Sequence, residues 1–76
     1  MRAEIIYTRL LNDQEMSTHL EKQDTLLFKG LGREWQQIER QVERLGLGER
    51  YVVSQTTGPR ECSTKVRPLP VRPIVT

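Results

Sequence analysis

The chain has 76 residues, of which 36% are apolar and 29% charged, and it carries a formal net charge of +2. This length allows one small domain, which buries only about 60% of the surface its unfolded form exposes, and no apolar run approaches the ~20 residues of a membrane span. A single Cys and a single His cannot supply the four ligands of a usual structural zinc site or close an internal disulfide. An interaction module is therefore expected rather than an enzyme.

The opening stretch to Arg9 is interrupted by Glu4 and Arg9, so it lacks the apolar run of roughly 7 to 15 residues that a secretory signal needs. With the lone Cys62, this points to a reducing, cytoplasmic setting. Residues 3–11, AEIIYTRLL, are rich in β-branched and aromatic types and stop at Asn12-Asp13, the pattern of a strand ending in a turn. Ile5 and Tyr7 then share one face, with Ile6 and Thr8 on the other. Apolar residues on both faces indicate an interior strand or a covered edge. Residues 12–24 are polar and weakly patterned. Met16 and Leu20 allow a short helical turn capped by Asn12, Ser17 or Thr18, and a surface loop fits equally well.

The strongest periodicity follows. Trp35, Ile38, Val42 and Leu45 are spaced 3, 4, 3, one apolar stripe of an α-helix over about 33–45. Gly46 stands where a left-handed residue would close that helix, with Leu47 folding back onto Val42. Phe28 and Leu31 continue the stripe backward, so one long helix from about Asp24 rivals a strand over Thr25–Lys29. Gly30 and Gly32 favour the strand, because each costs a helix interior about 1 kcal/mol. Residues 50–57, RYVVSQTT, read as a strand, with Tyr51 and Val53 on one face and Val52 and Ser54 on the other. A last short strand runs from Ser63 to Arg67 before the prolines. The expected fold is α+β: a single small domain over 1–67, with a short antiparallel or mixed sheet packed against one amphipathic helix.

Residues 68–76 form an extended tail with three prolines in six residues, stiff enough to lose little entropy on docking. Arg67-Pro68-Leu69-Pro70-Val71-Arg72-Pro73 resembles the R-x-x-P-x-x-P ligands of SH3 domains. Packing on its own domain and docking on another partner are the rival readings. Arg67, Leu69, Val71, Arg72, Ile74 and Val75 are the candidate partner contacts.

No cofactor-binding or catalytic motif is present. His19 reads as a surface residue, and Cys62 has no evident base to make it a nucleophile. Charge is uneven: residues 1–49 hold seven bases against nine acids, and residues 50–76 five against one. That excess makes Arg50, Tyr51, Lys65 and Arg67 candidate nucleic-acid contacts. The leading expectation is a non-catalytic regulator, inhibitor or assembly subunit that binds a larger protein, a profile that suits a phage or mobile-element accessory protein. A weak RNA- or DNA-binding module is the alternative. A homodimer through Phe28, Leu31, Trp35, Ile38, Val42 and Leu45 is the third reading, in which the stripe is a dimer seam rather than a core.

Overall fold

The computed structural model describes residues 4–57 and 61–69. Its elements are β1 (Glu4–Tyr7), α1 (Asp13–Glu21), β2 (Thr25–Phe28), a 3-10 turn (Gly32–Glu34), α2 (Trp35–Arg44), β3 (Tyr51–Thr57) and β4 (Cys62–Pro68). The strands form one mixed sheet in the order β1-β2-β4-β3. β1 and β2 run parallel, Ile5 opposite Leu26 and Tyr7 opposite Phe28. Parallel neighbours need a crossover, and α1 supplies it. β4 lies antiparallel to both β2 and β3. The fold is thus α+β, with two helices where the sequence indicated one.

The added helix is α1. Asn12 is its N-cap: Asn12 Oδ1 accepts from Glu15 N at 2.8 Å, and the Glu15 carboxylate accepts from Asn12 N. This reciprocal capping box satisfies two otherwise unpaired donors. The exposed Arg9 side chain adds an ion pair with Glu15 at 2.7 Å. Met16 and Leu20 are the fully buried residues of α1. Only two core positions in nine residues make a faint periodic signal, which is why composition alone left a loop open.

The expectation for α2 needs its start moved. A 3-10 turn occupies Gly32–Glu34, and its Gly32 lies against Cys62, where an added Cβ would stand 2.7 Å from the Cys62 carbonyl carbon. The helix ends as anticipated. Gly46 has φ +78°, Gly46 N donates to Glu43 O at 2.9 Å, and Leu47 N donates to Val42 O at 3.1 Å. Those two bonds make a Schellman cap. α1 closes the same way, except that its left-handed residue is Gln23, with φ 59°.

One core joins both helices to one face of the sheet. Leu11, Met16, Leu20, Leu26, Phe28, Ile38, Val42, Tyr51 and Val66 form a single buried cluster. Strand alternation puts Leu26 and Phe28 of β2, Val66 and Thr64 of β4, and Tyr51 and Val53 of β3 on this covered face. Thr64 is fully buried, and its hydroxyl donates to Leu31 O at 2.9 Å. Phe28, Ile38 and Val42 are therefore interior to one chain, and Leu31 and Leu45 pack against the same core. This removes the helical stripe as a dimer seam. Trp35 is half-buried at the start of α2, outside that cluster.

β1 corrects a further expectation. It is an edge strand and not an interior one, and its Ile6 is 59% exposed. β4 reaches Pro68, opposite Tyr51. Proline is tolerated there because β2 pairs with β4 only as far as Val66. Leu69 N then donates to Arg50 O at 2.8 Å.

Candidate functional site

Two places carry side chains that packing alone does not explain. The first is the opposite face of the sheet. Glu4 and Ile6 of β1, Thr25 and Leu27 of β2, Lys65 and Arg67 of β4, and Val52 and Ser54 of β3 alternate with the core residues. Both helices bury their apolar residues against the other side, so no helix crosses this face among the described residues. Cross-strand pairing sets Ile6 level with Leu27, and Leu27 level with Lys65. Val52 stands opposite Arg67. Lys65 Nζ reaches across β2 to within 4.0 Å of Glu4 Oε2. The result is an aliphatic strip flanked by one acid on the outer strand and two bases on the inner one.

The second place is a hydrogen-bonded chain of three titratable residues. The Tyr7 hydroxyl lies 2.7 Å from His19 Nε2, and His19 Nδ1 lies 3.0 Å from Asp24 Oδ2. Asp24 is only 9% exposed. With its carboxylate accepting from Nδ1–H, the imidazole presents Nε2 as the acceptor for the tyrosine O–H. Tyr7 also stacks on Phe28 at 6.2 Å between ring centroids, and the Arg9 guanidinium sits 5.4 Å above its ring. The chain ties β1, α1 and the segment leading into β2. Both ring nitrogens of His19 are engaged within the protein, so neither is left to activate Cys62, which packs at the 3-10 turn. This relay links the edge strand β1 to α1 and to the segment before β2.

Sequence reading missed His19 in this role. The signal was its position three residues after Met16, on the border of the buried stripe of α1, which becomes visible only once that segment is known to be helical.

Elsewhere two exposed carboxylates, Asp13 and Glu15, are held in local pairs. Asp13 accepts from Gln41 at 3.0 Å and from Arg44 at 2.6 Å, fastening α2 to the start of α1. Those hydrogen bonds, first from Gln41 and then from Arg44, hold the Asp13 carboxyl below its ordinary range. The Arg9 hydrogen bond does the same for Glu15.

The other candidates separate. Tyr51 is buried and its hydroxyl donates to Leu20 O, so it cannot stack on a base as a nucleic-acid contact. Arg50 is exposed in the turn before β3, and Lys65 and Arg67 stand on the open face. Leu69 is 38% exposed beside Arg50. Val71, Arg72, Ile74 and Val75 lie outside the described residues. No described helix is long and apolar enough to cross a membrane. Comparison with known protein families, curated proteins and solved structures gave no match.

Proposed function

We propose that this protein is a non-catalytic protein-binding module whose contact surface is the uncovered face of its sheet. The observation that supports this is the exposure of Ile6 and the partial exposure of Leu27 and Val52 on one face of strands whose other face packs against the core. A folded single chain gains nothing from aliphatic residues facing water, and another protein surface would bury them. The role that suits such a surface is that of a regulator, inhibitor or assembly subunit, acting by occupying a site on another chain.

Nucleic acid is the weaker reading. Lys65 and Arg67 share the open face, but Tyr7, Phe28 and Tyr51 all point toward the helices. A sheet that binds single strands presents aromatic rings for base stacking. This face presents aliphatic side chains instead.

Site-specific photocrosslinking in cells tests the proposal. A crosslinker at Ile6 or Leu27 should yield a discrete protein adduct, while one at Gln37 on α2 should not. Adducts at all three positions alike, or none, would defeat the reading. Adducts removed by nuclease would transfer it to nucleic acid.

A further inference from the structure

Resting on that reading, we infer that the partner of the uncovered face is a second copy of the same chain. The charge layout is self-complementary. β2 lies between β1, which carries the acid Glu4, and β4, which carries the bases Lys65 and Arg67. A symmetric dimer requires one patch to match itself under a two-fold rotation. Turning one copy over about an axis running along β2 lays β1 of each copy across β4 of the other. Leu27 then meets Leu27 at the centre.

Register sets what meets on either side of that axis. Glu4 pairs with Thr25, and β4 continues antiparallel from the Leu26–Val66 pair, which brings Arg67 to the level of Thr25. Glu4 of one copy therefore faces Arg67 of the other. Ile6 and Lys65 both stand level with Leu27, so Ile6 covers the aliphatic stem of the opposing Lys65, whose ammonium reaches across β2 toward Glu4 of its own copy. Aligned sheets pack about 10 Å apart with strands within about 30° of each other, which leaves room for this single layer of side chains. Arg67 makes no ion pair within its own chain among the described residues, and the dimer supplies one twice. β3 falls outside the overlap and its edge remains open.

The test is charge reversal with rescue by mixing, read by sedimentation equilibrium on the full chain. Wild type should sediment as a dimer at micromolar concentration. Glu4→Arg alone sets an arginine opposite each Arg67, and Arg67→Glu alone sets a glutamate opposite each Glu4. Each should weaken self-association more than about tenfold. An equimolar mixture of the two variants should recover the dimer mass, because both cross-pairs are again of opposite sign. Both positions are exposed, and circular dichroism of each variant confirms that it is folded. A wild-type monomer, or single variants that dimerise like wild type, would overturn the second copy as partner. Such a monomer that still crosslinks to a different protein through Leu27 leaves the interaction surface standing with another occupant. A monomer without crosslinks at Leu27 removes both.

Discussion

The two faces of the sheet are made from the same strands and meet opposite requirements. Leu27 and Phe28 are consecutive residues, yet Phe28 is fully buried under both helices while Leu27 stands half-exposed beside Ile6 and Lys65. On the covered face every polar group that enters the core finds a partner, as Thr64 does with Leu31 O. On the open face aliphatic groups and charges sit side by side, with a long 4.0 Å contact between Lys65 and Glu4. Exposed pairs of that kind contribute little to stability. Packing therefore accounts for one face, and an interaction surface is the account offered for the other.

The sharpest way to break this comparison is to truncate neighbours. Phe28→Ala should lose about 3–5 kcal/mol, a large part of the stability of so small a domain. Leu27→Ala should lose less than about 1 kcal/mol. Urea denaturation midpoints measure both, and equal losses would mean that the open face is in fact part of the core. Gly32→Ala comes next. A methyl group placed against the Cys62 backbone should cost about 1–3 kcal/mol through overpacking, and a neutral outcome would contradict the close approach of the 3-10 turn to β4.

The relay at the edge of the sheet sharpens the same contrast. Tyr7→Phe keeps the ring on Phe28 but leaves His19 Nε2 without its hydroxyl partner, which should cost about 1 kcal/mol. Amide exchange should accelerate in β1 more than in β3 if the relay holds the edge strand. Uniform acceleration across the sheet would contradict that role. Gln23→Gly should act in the opposite direction, stabilising by about 1 kcal/mol, because glycine removes the penalty of the left-handed φ of 59°.

The smallest effect lies in acid. The Asp13 and Glu15 carboxyls are held below their ordinary values of 3.8 and 4.5 by hydrogen bonds from Gln41 and Arg44, and from Arg9. A depressed folded-state pKa contributes stability that is complete above the ordinary value and is lost as pH falls through the folded one. Stability should therefore decline below about pH 4.5, and Arg9→Ala should make that decline slightly shallower. Thermal midpoints compared at pH 3 and pH 7 measure it, and an unchanged acid slope in Arg9→Ala would show that the exposed pair is too screened to matter.

Local chemistry accounts for most of what was legible in advance. The spacing of Ile38, Val42 and Leu45 specifies α2, because a 3.6-residue period leaves only one way to bury such a stripe. Gly46 specifies its end, and the alternation of Tyr51 and Val53 with Val52 and Ser54 specifies β3. Gly30 and Gly32 correctly separate β2 from that helix. These features depend on residues within a few positions of one another.

Long-range pairing decided the remainder. That Glu4–Tyr7 lies at an edge beside β2, and not inside the sheet, depends on which strand pairs with it across a helical crossover. The same pairing brings Tyr7 to His19, twelve residues away, and turns a seemingly idle imidazole into the centre of a relay. It also gathers Glu4, Leu27, Lys65 and Arg67, dispersed over three strands, onto one surface. Periodicity states which side chains share a face of their own element. Only the register between elements states which faces come together and which one is left open.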